Sequence, residues 1–482
     1  MIDAVMPSVP EGLTSDEAGT LWRLSEQLRQ KQPTNALLTA YYDGDRALQN
    51  LGISLPPKLR DVRAALGWPE KAVQALVQKH VFEGFTLDGA GDPFDLDELL
   101  ERNRFELDLV QGMTSAYTHS CAFITTTHGD TESGEPDVVV QMRDAEWATA
   151  LWDRRRREIS AFLAVIDADD MNQPTALVFM LRGVTITLEK RLGRWRVNRR
   201  QTVPGRVLVE ALTNDPQVRR PFGRSRITRE VRYLTDAAVR TLVRSEVSAE
   251  FFASPQRYVL GADKDAFDSA AWTAVMGRVT ALETNDEGEM PQVGQFPQIS
   301  MEPHLNMYRQ LAQNFAAATG LPQSSVGIFA DNPASAEAMQ AAESRLAETA
   351  EFQWRVFKPA LVRTAQNVVM LRDRLVEPPA ESWRLRVNSK PARYVSPQAA
   401  ADFTVKAVGA LPKIAETTEA LRGLGYSDEQ IEGMQAEWRR AGAHDRLTAL
   451  VDAVKARKSD GVAGSGGAVP AEPVEPGGAR ES

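Results

Sequence analysis

The chain has a single cysteine, Cys121, in 482 residues. No disulfide can form within it, and nothing in its chemistry points to an oxidising compartment. Long apolar runs are missing too. The most apolar stretch, TALVFML at 175–181, falls far short of the ~20 residues a membrane helix needs. The first nineteen residues have neither a basic start nor an apolar core, so no signal peptide is expected. There is no phosphate-cradling P-loop, no G-x-S-x-G, no H-E-x-x-H and no paired C-x-x-C. The one glycine-rich stretch, GVAGSGG at 461–467, has no strand pattern before it and no helix pattern after it. Positive charge is also in deficit. A net charge of −9 argues against a protein that wraps duplex DNA through many phosphate contacts. The expectation is a soluble protein, made in the cytoplasm, with no membrane segment, no catalytic residue, no metal and no cofactor.

What is present is a helical chain with one β-rich interval. Residues 14–32 predict a helix capped by Thr14 or Ser15, with Trp22, Leu24 and Leu28 as apolar anchors. A second helix followed by a Pro-Pro turn is expected from AYYDGDRALQNLGISLPPKLRD. GWPEKAVQALVQK places Pro69 at a helix start above an apolar face of Val73, Leu76 and Val77. One more helix is expected over 95–117. From 120 the pattern changes to short β-branched and aromatic runs, CAFITTT, DVVVQM, SAFLAVID, TALVFMLR, VTITLEK and RWRVN. Polar turn segments separate them, which predicts an antiparallel sheet of hairpins. Ile227, Val231, Leu234, Ala238 and Leu242 then recur at helical spacing, predicting a helix over 226–253. A second helix is expected from about 303 to 319. The small-residue loop GLPQSSVGIF follows, and then a long helix reaching about Leu375, with Asn332 as N-cap and Pro333 at its first position. WRLRVNS at 383–389 predicts a strand, and 396–457 two or three helices. The Gly/Pro/Ala/Glu-rich tail from Ser459 predicts disorder.

Charge is unevenly placed. Residues 219–244 hold eight arginines against Glu230 and Asp236, whereas 261–290 hold seven acids against Lys264 and Arg278. His119, Cys121 and His128 fit no zinc spacing and lack a fourth ligand, so they are read as strand and turn residues. Asp167, Asp169 and Asp170 could gather a divalent ion for a nuclease or packaging enzyme, but beside NQP they read as ordinary turn residues. RRRR at 154–157 is read as a solvated or salt-bridged face in a helix-to-strand passage, with a subunit contact as its best functional role.

The order of parts resembles the portal, or head-to-tail connector, family of tailed bacteriophages, in particular long-tailed phages of actinobacteria. The resemblance rests on YYDGDRAL...LGISLPP, GWPEKAVQALVQK...EGF, FGRSRITREVRYLTDAAVRTLVRSEVSAEFFASPQRYVLG, GLPQSSVGIFADNPASAEAMQAAESRL and LGYSDEQIEGM, in that order over roughly 10–457. It implies an α+β, mainly helical fold. Residues 1–222 would form N-terminal helices and a wing with the antiparallel sheet, 223–254 a first stem helix, 255–300 a clip and 301–319 a second stem helix. The tunnel loop would be 320–332, followed by a long kinked wing helix with a return strand (333–395), a crown (396–457) and a disordered tail (458–482). Gln323, Ser324, Ser325, Val326 and Asn332 would face DNA in the channel. Asp263, Lys264, Asp265, Asp286, Glu287 and Glu289 would face terminase and adaptor from the clip. Arg226, Arg229, Arg232 and Arg240 would make stem contacts between subunits. The implied partners are other copies in a ring, a dodecamer in the virion, the terminase large subunit, a head-tail adaptor, the major capsid or scaffolding protein, and double-stranded DNA passing without sequence specificity. The implied location is the capsid portal vertex, with the host cytoplasm during assembly. The alternatives are a metal-dependent nuclease using the aspartates and a monomeric helical interaction protein.

Overall fold

The computed structural model describes residues 10–45, 65–203 except 89, 205–253, 257–260, 288, 290, 292–295, 300–329, 336–393, 397–426 and 430–440. Two compact units divide the chain, Met1–Arg393 and Tyr394–Ser482. In the first unit, α1 (Ser15–Tyr42) starts with a capping box. The Thr14 hydroxyl accepts the Glu17 N–H, and the Glu17 carboxylate accepts the Thr14 N–H at 2.9 Å. The helix continues through Pro33 to Tyr42, so AYY closes α1 and does not open a second helix. Leu21, Leu24 and Leu28 form its buried stripe. Trp22, one residue and about 100° round from Leu21, is 65% exposed and anchors nothing.

That stripe packs on a five-stranded antiparallel meander, β5 (Ala148–Asp153), β6 (Glu158–Ala168), β7 (Pro174–Leu181), β8 (Val184–Arg191) and β9 (Arg194–Thr202), in sequential order. Leu163, Val165, Leu177, Phe179, Ile186, Leu188 and Trp195 on one face meet α1. Phe162, Ala164, Val178 and Met180 on the other face meet Cys121, Phe123 and Val209 of a second sheet, with Val207 just before its strand. Covering on both faces explains why β6 and β7 read as nearly continuous apolar runs and not as alternating ones. The second sheet is β10–β3–β4, built from β3 (Cys121–His128), β4 (Val138–Asp144) and β10 (Val209–Thr213). A third pairs β1 (Phe82–Leu87) with β2 (Ala90–Gly91) and β13 (Arg386–Ser389). The strand pattern at 383–389 is therefore shortened. Ala380–Arg384 forms a 3-10 turn, and Trp383 is exposed.

The open edges of the strands are met by amide side chains. Asn103 donates to Val138 O at 3.0 Å and accepts from Val140 N at 2.9 Å on β4, as a paired backbone would. Gln27 donates to Ala150 O of β5, and Asn35 to Ala145 O just before it. Gln353 donates to Thr213 O at the end of β10. Glu11 bridges β9 through Trp195 O and Val197 N. An edge so occupied is a poor template for aggregation.

The largest core gathers the remaining helices of this unit: α2 (Trp68–Val77), α3 (Leu96–Arg102), α4 (Phe105–His119), α5 (Arg229–Ala253), α6 (Glu302–Thr319) and α7 (Ala336–Arg372). Pro69 stands at the start of α2, and Val73, Leu76 and Val77 are buried. The single helix expected over 95–117 is split between α3 and α4, because Arg104 takes a left-handed φ of 51°. His80 sits at the centre of this core, its Nε2 2.5 Å from the Tyr117 hydroxyl and its ring stacked on Trp354. In the second unit, α8 (Pro397–Ala410), α9 (Thr418–Gly423, capped by the Thr417 hydroxyl) and α10 (430–440) account for the expected two or three helices as far as residue 440. The tail lies outside the described residues.

Burial holds both His80 and His119 at about 4, below the ordinary 6.5. The unfolded chain therefore binds their protons first, so stability falls as pH drops from 6.5 towards 4, by roughly 3 kcal/mol at most for each. Urea melts at pH 7 and pH 4.5 should show a smaller loss for His80→Phe than for the native chain. Equal losses would remove His80 from the account.

Candidate functional site

The two helices expected as a stem lie side by side. α5 buries Val231, Leu234, Ala238 and Val243, with Leu242 only half-buried and Ile227 buried just before the helix, and α6 buries Ala312, Phe315, Ala316 and Thr319. Thr235 and Thr241 fit the buried face because each hydroxyl donates to the carbonyl four residues back, Val231 O and Ala237 O. Beyond α5 the chain forms a two-stranded antiparallel ribbon, β11 (Arg257–Leu260) with β12 (Gln292–Gln295), which the irregular sequence of 255–300 did not reveal. Asp263, Lys264, Asp265, Asp286, Glu287 and Glu289, between these strands, lie outside the described residues.

The four stem arginines divide sharply. Arg226 precedes α5, which begins at Arg229 and not at 226. Its backbone N–H donates to Tyr117 O at 2.8 Å, its Nε to Ala72 O at 2.5 Å and its Nη2 to Thr319 O at 2.6 Å. It thus ties α4, α2 and the last turn of α6 together inside one chain, and its assignment as a subunit contact is overturned. Burial pushes it down to about 10, so it remains a cation at neutral pH. The negative end of the α6 dipole favours it there. Arg232 is also turned inward, donating to Thr228 O with its guanidinium 6.0 Å from the Tyr41 ring. Arg229 is exposed and Arg240 half-buried on the outer side of α5.

Immediately after Thr319, Gly320 adopts φ 70° and closes α6. The loop that follows is pinned. Leu321, Pro322 and Val326 are buried, Gln323–Val326 makes one 3-10 turn, and Gly327 at φ 83° ends it. Lys71 donates its ammonium to Ser325 O at 3.3 Å. Gln323 and Ser324 are exposed and Ser325 half-buried, so these three remain available to a neighbour. Val326 does not: it is 3% exposed and packed in the main core, and its assignment to a channel surface is corrected. Asn332 and Pro333 lie outside the described residues.

The other candidate motifs have local roles. His119 is held between the Thr39 and Ser115 hydroxyls, and burial pushes the Cys121 thiol up to about 12. Asp169 accepts the N–H groups of Met171 and Gln173, and Asp167 accepts the Thr175 hydroxyl, so both hold the β6–β7 turn. Among the described residues no group of three or more His, Cys, Asp or Glu is placed to hold a metal. Arg154–Arg157 form the β5–β6 hairpin turn and no helix-to-strand passage.

The arrangement is a helix pair, a ribbon at one end and a pinned uncharged turn at the other, carried on an α+β body of antiparallel sheets. The family model described as phage portal protein, SPP1 Gp6-like, matches residues 23–442. The chain belongs to this portal family. It is 29% identical over 417 residues to the portal protein of Mycobacterium phage L5, covering 82% of this chain and 83% of that one. Identity to the portal protein of Mycobacterium phage D29 is 28% over 416 residues, with the same coverage. Among solved structures, the neck of a native GTA particle computed with C12 symmetry aligns over 75% of this chain and 90% of that one. Its TM-score of 0.40 at 13% identity is too slight to add to the family assignment.

Within the portal fold, Arg226 carries a test of its own. Arg226→Ala leaves Ala72 O and Thr319 O without their donor. It should cost about 2–4 kcal/mol of stability in a urea melt of the unassembled chain. No change in that melt would return Arg226 to the list of subunit contacts.

Proposed function

We propose that the chain assembles into a ring of about a dozen copies at a capsid vertex, and that double-stranded DNA passes through the central channel on packaging and ejection. In this reading α5 and α6 form the stem, and the segment carrying β11 and β12 is the clip that meets terminase and the head-tail adaptor. The turn after Gly320 faces the DNA through Gln323, Ser324 and Ser325. The second unit belongs to the crown. Arg229 and Arg240 remain the stem residues for subunit contacts, and major capsid or scaffolding protein is the partner at the rim. ATP hydrolysis is assigned to a separate terminase and none to this chain.

One observation carries the channel reading: from Gly320 to Phe329 there is no charged residue, and the buried Leu321, Pro322 and Val326 hold the turn in place. A fixed cation facing a moving duplex would grip its phosphates, and a slack loop would obstruct it. A neutral turn on a firm base avoids both. The nuclease alternative has less support, since Asp167 and Asp169 are occupied in holding their own turn.

Native mass spectrometry or negative-stain imaging should find rings of about a dozen copies, and a strictly monomeric chain at high concentration and low salt would count heavily against the proposal. Gln323→Lys with Ser324→Lys changes two exposed positions. It should leave folding and ring assembly intact, within about 0.5 kcal/mol per site, while impairing packaging. Virions containing confirmed mutant rings, with wild-type yield and genome length, would sink the channel assignment. Val326→Lys is the contrast, and should fail at folding because it buries a charge.

A further inference from the structure

One cationic surface takes no part in the stem, the turn after Gly320 or the clip. At the β5–β6 hairpin, Arg154, Arg155, Arg156 and Arg157 follow one another and all are exposed. Their side chains do not hold the turn. Asp153 does so through the backbone, its carboxylate accepting the N–H groups of Arg155 (2.8 Å) and Arg156 (3.0 Å) and its carbonyl that of Arg157 (2.8 Å). The next acid, Glu158, is directed to Arg363 at 3.6 Å. Elsewhere on the same sheet, Arg191, Arg196 and Arg200 are paired with Glu189, Glu11 and Glu17. Asp153 is the one acid whose charge Arg155 and Arg156 feel, and among the described residues none of the four hairpin guanidiniums forms an ion pair within 4.0 Å.

A second basic segment adjoins the hairpin. The Trp152 and Phe222 rings meet edge-on at 5.9 Å and join it to the 219–224 loop, where Arg219 and Arg220 are exposed and Arg224 pairs with Asp215. The cleft between them, ≈ 630 Å³, includes Lys31, Arg154, Arg220 and Arg224 in its lining and no carboxylate. On a chain of net charge −9, this concentration of exposed cations is complementary to a polyanion. We propose that the ridge of Arg154–Arg157, Arg219 and Arg220 holds the phosphate backbone of duplex DNA at a place apart from the channel. Guanidinium forks match phosphate oxygens, and duplex DNA brings one charge per ~1.7 Å of axis. A protein partner would need an apolar anchor. The ridge exposes only Val218, while Trp152 and Phe222 are half-buried against each other.

The proposal rests on the portal reading only for how DNA comes near the protein, and its test needs no channel. The probe is a covalently closed DNA minicircle, which has no end to thread through a ring. It is titrated against the full chain, with assembly state checked by native mass. Native protein should bind it at low salt. Replacing the tetrad (Arg154→Ser, Arg155→Ser, Arg156→Ser, Arg157→Asn) should weaken binding at least tenfold. It should also make the slope of log K against log salt shallower by about 3–4, from ~0.9 per phosphate. Asparagine suits the left-handed φ of 55° at position 157. If that variant misfolds, Arg155→Ser with Arg156→Ser should give about half the slope change, while Arg194→Ser, at the start of β9, should change neither quantity by comparison. An unchanged slope in folded variants overturns the proposal. So does displacement of the minicircle by polyglutamate as readily as by competing duplex, which would assign the ridge to an acidic protein. Rings that form normally yet ignore the minicircle would refute this site and leave the portal reading standing.

Discussion

Arg226 brings a cation to the place where α2, α4 and α6 meet, and the position of the exposed turn depends on that junction. Its guanidinium holds Thr319 O, in the last turn of α6, one residue before the chain reverses at Gly320. The end of a helix leaves its final carbonyls unpaired, and burying them is costly unless a donor arrives from elsewhere. Arg226 supplies that donor and reaches Ala72 O as well, so it fixes α6 laterally against α2. Leu321 and Val326 then add apolar anchors within the same core. Gln323 and Ser324 therefore stand exposed on a turn that is anchored from beneath.

The same economy of polar groups runs through the sheets. Both faces of the five-stranded meander are covered, one by α1 and one by the second sheet, so its stability comes from apolar burial. Its edges, and those of the second sheet, are the remaining weakness. Amides on α1 and α7 and in the α3–α4 turn meet them, together with the backbone of Glu11. An amide offers both donor and acceptor, so Asn103 can reproduce a ladder step on β4 that a carboxylate or an ammonium could not.

How much of this was legible in the sequence follows from the physics of each element. Six of the meander and second-sheet strands were readable because burial on one or two faces imposes apolar runs. β10 was hidden by Glu210, a buried acid whose charge is met by Arg363 of α7 at 2.9 Å, a partner distant in sequence. Trp22 was misread because size alone does not say which way a helical residue faces; the stripe at Leu21, Leu24 and Leu28 does. The break at Arg104 carries no glycine or proline to announce it. At the candidate site, the lack of charge from Gly320 to Phe329 could be read directly. The burial of Val326 could not, since it depends on how the turn folds back into the main core.

The arginines of 219–244 show the same limit from another side. Read as a line they form one basic helix, yet the fold sends Arg226 and Arg232 inward, pairs Arg224 with Asp215, and leaves Arg219, Arg220 and Arg229 outside. Net charge over a segment therefore says little about the field it presents. What matters is which cations the chain has already used. Once the inward and paired arginines are set aside, the exposed positive charge of the β5–β6 hairpin and the adjoining loop lies on the antiparallel-sheet body, while the turn after Gly320 remains neutral. On the proposed reading, the chain lets a polyanion slide at one surface and holds it at another, which requires that the two be built from different elements. Here they are: the neutral turn hangs from α6 and the main core, and the arginine hairpin from the edge of the meander.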